Sequence, residues 1–448
     1  MKLKLLFILR LNRCKRWRIL LTIVVCTFLG FDPILLFAQQ SIDGEAQVIG
    51  TEMNYLDDGK LFSEDQVIES ALMHNKNLRF LETNSILADH RLDSGGWSEN
   101  PELRLSDIST RYYATAINEL RFGLRFRVPQ LGQMGEEKQQ LRVEFWENKV
   151  DEIRYRHEFI ASVRKEYANV LMYDQLAELN QQRAARADER IHVIERLVDL
   201  GNRSVVYLTK AKLWQAESRN DLARALQNQR LARRELAKRT NIPTDALLSL
   251  EELPNMTQDL DELMKVGLAN RPELELVRQH IELARQQRKY RYFRLIPWFN
   301  FVDVSYHIEN TPYDDWTEFR AGINLPILNW NIDNIKATRL AVESSKNELA
   351  AIKETIEEEI RSAYLIYQDL QVDYATFKAS AEELISQTET LTDQAKTHNT
   401  LMPDEVLELQ WTILDTKKLL AEKRQELAHA LFDLYVALGI ESHAQLFE

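Results

Sequence analysis

Residues 120–128 read Leu-Arg-Phe-Gly-Leu-Arg-Phe-Arg-Val. Large apolar side chains alternate with arginine or glycine, and this alternation predicts a β-strand with one apolar and one polar face. A tilted strand of about nine residues is also long enough to cross the hydrocarbon core of a bilayer. A half-buried strand in a soluble sheet has the same pattern, so this stretch alone leaves both interpretations open.

A second alternating stretch, Glu318–Leu325, belongs to an internal repeat of the chain. The repeat is marked by three pairs of landmarks: Leu78 and Leu274 at an offset of 196, Pro101 and Pro297 at 196, and Pro129 and Pro326 at 197. A nearly constant offset of this kind indicates two copies of one structural unit. Each half predicts a helix, two strands joined as a hairpin, and two very long helices. Two matching hairpins favour a transmembrane barrel over a soluble sheet.

The first part of the chain predicts a secretory signal peptide. Residues 1–18 carry basic residues and no acid, residues 19–31 are apolar, and a small residue stands at Ala38. An apolar run of thirteen is shorter than the roughly 20 residues of a membrane-spanning helix, the rival interpretation. Both cysteines, Cys14 and Cys26, lie in this segment, so the exported chain has none. Lipidation of Cys26 stays open.

The repeat and these signals predict six segments. They are the signal peptide at 1–38, an N-terminal collar segment at 39–62, a first repeat at 63–245, a linker at 246–261, a second repeat at 262–440 and a C-terminal tail at 441–448. Within the repeats we expect strands at about 102–128 and 298–326, and long helices at about 130–242 and 327–438. The mixed collar is expected from residues 39–60, 243–261 and the tail.

Four strands are too few to close a barrel, since the smallest known types have about eight. Open sheet edges in lipid would leave backbone groups without hydrogen bonds, at several kcal/mol each. The strands therefore predict a shared barrel, and three copies would supply twelve strands. The fold class expected is mainly α with a transmembrane β-barrel, assembled as a homotrimer in outer-membrane lipid.

The long helices are predicted from the scarcity of helix breakers. Neither proline nor glycine occurs between Pro326 and Pro403, and about 70 helical residues would extend roughly 100 Å. Apolar residues spaced alternately three and four apart predict a coiled-coil seam. The seam comprises Ile360, Ala363, Tyr367, Leu370, Tyr374, Phe377, Ala381, Leu384, Thr388 and Leu391. An ordinary coiled coil without a channel would show the same spacing.

Motifs for chemistry are missing from the sequence. The nine histidines form no close pair, no Gly-rich phosphate loop is present, and no cysteine remains after processing. We therefore predict no catalytic, metal or cofactor site and do not expect an enzyme. Acidic residues outnumber basic ones, 69 to 57, which disfavours nucleic acid as a partner.

Several motifs, in order and partly repeated, resemble the TolC outer-membrane efflux family. They are Ala71-Leu72-Met73-His74-Asn75-Lys76-Asn77-Leu78, Asn100-Pro101-Glu102-Leu103 and Leu325-Pro326-Ile327-Leu328. The resemblance runs from about Ser63 to Gly439. It implies an exit duct in the outer membrane with its helical part in the periplasm. It also implies a periplasmic adaptor at the helical tips and an inner-membrane pump, with the RND type favoured, that delivers small solutes such as drugs or metal cations.

The family closes its channel at the helical tips with a glycine, an arginine and two carboxylates. The resemblance therefore implies a periplasmic gate at Asn399, Asp404, Glu405 and Glu408 in the second repeat and at Gly201 and Arg203 in the first. Leu401 replaces the family's arginine, and Tyr207 and Lys210 replace its acids. A ring of carboxylates would favour cations. Acidic residues also simply stabilise a helix N-terminus, and both interpretations stay open.

The arginines of the alternating strands would line the barrel lumen, mainly as solvated side chains: Arg121, Arg125, Arg127 and Arg320. Two other functions stay open. One is a type I secretion duct for unfolded polypeptide, and the other is a periplasmic coiled-coil scaffold. The sequence does not identify the substrate.

Overall fold

The computed structural model describes residues 61–95, 100–112, 115–250, 252–309, 316–326, 332–398 and 402–446. The predicted signal peptide, nearly all of the N-terminal collar segment, and Asn399 lie outside these residues. The helices are α1 (Glu64–His74), α2 (Lys76–Ser94), α3 (Gln133–Asp199), α4 (Val205–Thr240), α5 (Leu260–Asn270), α6 (Pro272–Phe293), α7 (Ile332–His398) and α8 (Pro403–Leu438). The strands are β1 (Leu61–Phe62), β2 (Glu102–Tyr112), β3 (Thr115–Arg127), β4 (Leu247–Leu248), β5 (Trp298–Glu309) and β6 (Trp316–Asn324).

Local sequence explains where the shorter helices begin. Ser63 accepts a hydrogen bond from the backbone of Gln66, whose side chain accepts one from the backbone of Ser63, and this capping box starts α1. The Asn75 side chain caps α2 by accepting from the backbone N–H groups of Asn77 and Leu78. Pro272 occupies the first turn of α6, where its missing N–H costs nothing. Each repeat therefore starts with a pair of helices, where the sequence analysis predicted a single helix.

The strands form one antiparallel sheet in the order β2-β3-β5-β6. Each hairpin pairs its own strands, and β3 pairs with β5 to join the repeats. Alternate residues point to opposite faces, so the register places Gly123 beside Ser305 and Leu124 beside Val304. The outer strands of the described sheet are β2 and β6.

The helices α3 and α7 each contain 67 residues, or about 100 Å of helix. Their neighbours α4 and α8 each contain 36 residues. No helix among the described residues combines the length and apolar composition needed to cross a bilayer. Lateral packing stabilises helices of this length, and the largest apolar cluster accordingly joins α7 and α8 to α5 through residues such as Ile360, Leu431 and Leu438.

The coiled-coil seam of α7 follows the prediction except at Leu384 and Leu391. Ile360, Tyr367, Ala381 and Thr388 are buried as expected. Leu384 and Leu391 are 44% and 52% exposed, and Thr392 is buried instead, so the prediction is wrong there. An α-helix has 3.6 residues per turn and drifts relative to a seven-residue repeat. The buried face therefore moves one residue along, and the leucines point away from the protomer.

The linker between the repeats packs against the long helices. β1 pairs with β4 in parallel, and the Tyr167 hydroxyl on α3 donates to the carbonyl of Ser249 at 2.6 Å. The Tyr367 hydroxyl on α7 accepts from the Met256 backbone at 3.3 Å. Arg156 on α3 binds Glu441 of the C-terminal tail at 2.5 Å. These contacts form a layer of linker and tail around the middle of the helices.

Candidate functional site

The tip of the first repeat is the turn between α3 and α4. Gly201 adopts a left-handed backbone with φ +76°, which glycine accepts without strain, and a Cβ there would meet no other atom. The turn places Arg203 against the start of α8. Its guanidinium lies 3.2 Å from an Asp404 carboxylate oxygen and 3.5 Å from one of Glu405. The arginine of one repeat therefore meets the acids of the other.

The predicted carboxylates at the start of α8 have different surroundings. Asp404 is buried, whereas the side chains of Glu405 and Glu408 are about half exposed. Glu405 accepts a hydrogen bond from the Met402 backbone at 2.9 Å, so it stabilises the helix N-terminus. The helix-capping interpretation thus holds for Glu405. Asp404 instead makes a contact across the repeats.

Glu408 meets an arginine that the sequence analysis missed. Arg190 on α3 is 8% exposed, its Nη2 lies 3.0 Å from Glu408, and its guanidinium stacks 3.9 Å from the centroid of Trp214 on α4. Arg190 therefore contacts α4 of its own repeat and α8 of the second repeat. A buried cation between an aromatic face and a carboxylate is held more firmly than a surface ion pair.

The same arrangement recurs one heptad away at Arg183. Its guanidinium lies 3.2 Å from Asp415 on α8, 3.5 Å from Asp221 on α4 and 4.6 Å from the Trp411 ring centroid. Arg183, Arg190 and Arg203 together form what we call the arginine ladder. The seven-residue spacing of the first two was the available signal in the sequence. Without knowledge of which helix faces which, that spacing identified no partner.

The four predicted lumen arginines lie on one face of the sheet, and three of them form ion pairs. Arg125 lies 3.3 Å from the buried Asp303, and Arg127 lies 2.6 Å from Glu102. Arg320 lies 2.6 Å from Glu318. Arg121 occupies the register position opposite His307. Arg127 and Arg320 keep 58% and 45% of their side chains exposed, so they are solvated as well as paired, whereas Arg125 is largely covered beside Asp303.

Sequence reasoning also missed the acidic and histidine members of this polar face. Asp303 further binds Arg104 at 3.6 Å, and Glu318 lies 3.1 Å from the Nε2 atom of the buried His307. Their positions at every second residue of β5 and β6 were the signal that could have found them. The network crosses all four strands of the described sheet.

The opposite face of the sheet is apolar and exposed. Its members share the alternate positions of the register: Leu103, Leu105, Phe122, Leu124, Phe126, Tyr306, Phe319 and Ile323. An exposed apolar surface of this extent marks contact with lipid or another protein. Within the described residues, no group of three or more His, Cys, Asp or Glu side chains is placed to hold a metal ion.

Solved structures share this architecture over most of the chain. CusC, studied for folding and transmembrane channel formation, aligns over 87% of this chain and 96% of its own, with 16% identity and a TM-score of 0.65. The chain has the fold of outer-membrane channels. The Campylobacter jejuni channel CmeC aligns over 84% of this chain and 85% of its own, with 13% identity and a TM-score of 0.64.

A third outer-membrane channel shows the same agreement. MtrE of Neisseria gonorrhoeae, solved in its open state, aligns over 84% of this chain and 89% of its own, with 16% identity and a TM-score of 0.65. No protein-family model and no curated protein matches the sequence. The channel fold is therefore visible in the structure although little of it survives as sequence identity.

Proposed function

We propose that the chain is one protomer of a homotrimeric exit duct in the outer membrane, which passively exports small solutes. The observation that carries the proposal is the two-faced sheet. One face is apolar and exposed, and the other carries a network of charges. A lipid-facing surface and a water-filled lumen require these two faces in one sheet.

The edges of the sheet explain why one copy would not suffice. β2 and β6 are its outer strands, and each has a backbone pairing on one side only within the described sheet. Each unpaired backbone group in hydrocarbon costs several kcal/mol. Three copies joined edge to edge would close a barrel of twelve strands.

The helices support the same assembly. α7 presents Leu365, Val372, Leu384 and Leu391 as exposed apolar side chains, spaced seven apart in two pairs. Contiguous apolar side chains on a protein surface mark an interaction site. In the proposed trimer they pack against a neighbouring copy, and the long helices enclose a periplasmic tunnel.

We propose that the helical tips form the periplasmic gate. Its members are Asp404, Glu405 and Glu408 of the second repeat, Gly201 and Arg203 of the first, and Asn399, which lies outside the described residues. The arginine ladder holds α8 to the first repeat and offsets part of the acidic charge. Glu408 keeps enough exposure to favour cations at a narrow mouth. Planar-bilayer selectivity tests this: Glu405→Gln/Glu408→Gln should lose cation preference, and Glu348→Gln/Glu354→Gln, at exposed positions on α7 away from the tip, should keep it. Equal selectivity in both variants would exclude the gate's role.

A passive duct needs partners that supply energy and substrate. The proposed partners are a periplasmic adaptor at the helical tips and an inner-membrane pump of the RND type, with drugs or metal cations as solutes. Deletion of the gene should then raise sensitivity to such solutes. Loss of a secreted polypeptide, with unchanged solute sensitivity, would instead indicate a type I secretion duct.

The decisive experiment combines native mass spectrometry with single-channel recording on detergent-purified protein. We expect a trimer and stepwise conductance. A stable monomer that is soluble without detergent and silent in bilayers would support the scaffold alternative and refute the duct.

A further inference from the structure

The segment 283–302 concentrates positive charge at one place on an acidic protein. It contains five basic residues and no acidic one, in a chain of net charge −12. Four of them, Arg288, Lys289, Arg291 and Arg294, form what we call the basic patch. The patch occupies the last turns of α6 and the residue after it, directly before β5.

The basic patch has no anionic partner that matches it. Among the described residues, none of its four members makes an ion pair with a carboxylate, whereas arginines elsewhere, such as Arg164 and Arg233, do so. Arg291 and Arg294 lie near Glu136 and act to lower its pKa, but burial dominates and raises the pKa of that carboxyl. The helix dipole favours cations within the final turn only, so it does not account for four charges.

An apolar surface begins where the basic patch ends. Ile296, Phe299, Ile323 and Leu325 are exposed at this end of the sheet, and Tyr292 is exposed between Arg291 and Arg294 in the chain. Along the chain the charges and Tyr292 come first, and the apolar surface follows Arg294. Interfacial residues of membrane proteins follow this order from water into lipid.

The dimensions also match a membrane surface. Arg288 and Arg294 are separated by about 9 Å of chain at helical rise, which is close to the roughly 5–8 Å depth of one headgroup layer. Long basic side chains extend toward the headgroups while their stems cover apolar surface. All four charges can therefore reach phosphate groups of one leaflet.

We propose that the basic patch binds the headgroups of anionic phospholipids in the leaflet nearest the helices. The inference rests on the proposed function, because it needs the sheet to lie in a membrane. The first repeat has Leu92, Asp93, Gly95 and Ser98 at the equivalent positions, an offset of 196. Each protomer therefore carries one such site, and the trimer carries three.

The test measures lipid selectivity of the full-length protein in nanodiscs of phosphatidylcholine with one-fifth phosphatidylglycerol. Native mass spectrometry should show preferential retention of phosphatidylglycerol. Each basic residue near an anionic surface contributes about fivefold to binding, so Arg288→Gln/Lys289→Gln/Arg291→Gln/Arg294→Gln should lower the phosphatidylglycerol preference by more than tenfold. The matched control is Arg224→Gln/Arg230→Gln/Arg234→Gln/Lys238→Gln, at four exposed positions on α4, and it should retain the preference.

Separate results overturn the inference and the proposed function. Wild-type trimers that conduct ions but retain both lipids equally would overturn the inference alone, as would a preference that survives in the patch variant. Inorganic phosphate that displaces the lipid completely at equal concentration would assign the patch to a free anion and also overturn it. Protein that neither inserts nor conducts would overturn both. If the patch variant fails to form trimers, a salt titration of wild type replaces it, and a preference unaffected by salt would refute the proposal.

Discussion

Arg190 offers the sharpest test of the helical tip, because one side chain joins three helices. Arg190→Ala removes a cation–π contact worth about 1–2 kcal/mol and an ion pair worth about 0.5–1 kcal/mol, discounted because Glu408 is 59% exposed. The sum is about 2 kcal/mol of local stability. The loss falls on the tip, where only a small apolar cluster around Ile191, Ile194 and Ala211 is described, because the two larger core clusters lie elsewhere along the helices.

Hydrogen exchange followed by mass spectrometry measures that local loss. A change of about 2 kcal/mol corresponds to roughly thirtyfold faster exchange, expected for peptides around the α3–α4 turn and the start of α8. The matched control is Arg186→Ala, one turn away on α3, whose ion pair with Glu189 is exposed on both sides. That variant should change exchange by less than about threefold. Equal effects of the two substitutions would refute the ladder as the element that holds the tip.

Three further predictions concern strain, pH and packing. Gly201→Ala should destabilise the tip by about 1–2 kcal/mol because its φ is +76°, with Gly201→Asn milder, as measured by local hydrogen exchange. Burial lowers the pKa of His429, so this side chain becomes protonated at a lower pH in the folded state than in the unfolded state. The free energy of unfolding should therefore fall as pH drops below about 6.5. His429→Gln should flatten that pH dependence in thermal melts, and an unchanged slope would contradict it. Gly267→Ala should cost about 1–3 kcal/mol because its Cβ would press on the Ile360 side chain, and adding Ile360→Val should restore part of the melting temperature.

Much of the architecture was predictable from sequence because it depends on local signals. The strands expected at about 102–128 and 298–326 are observed at 102–112, 115–127, 298–309 and 316–324. Alternation has a period of two and needs no knowledge of partners. Long helices were predictable in the same way, because nothing interrupts them between Pro326 and Pro403.

The site was less predictable because its contacts join distant parts of the chain. Arg203 and Asp404 are paired through the packing of two repeats, and neither residue's neighbours in sequence reveal the other. The contact of Arg125 with Asp303 depended on strand register, and hydrophobic alternation predicts only which face of the sheet a residue occupies. The outward position of Leu384 depended on the drift of α7, which a fixed heptad count omits.

The short parallel pairing of β1 with β4 has a consequence for how the chain acquires its structure. Leu61 leaves the ribosome early, yet its partner Leu247 is made only after the whole of α3 and α4. Contacts between such distant segments must wait for synthesis and then offset the entropy of closing a long loop. The pairing therefore fastens the first repeat only when that repeat is complete, so we expect it to form late in the folding of this half of the chain.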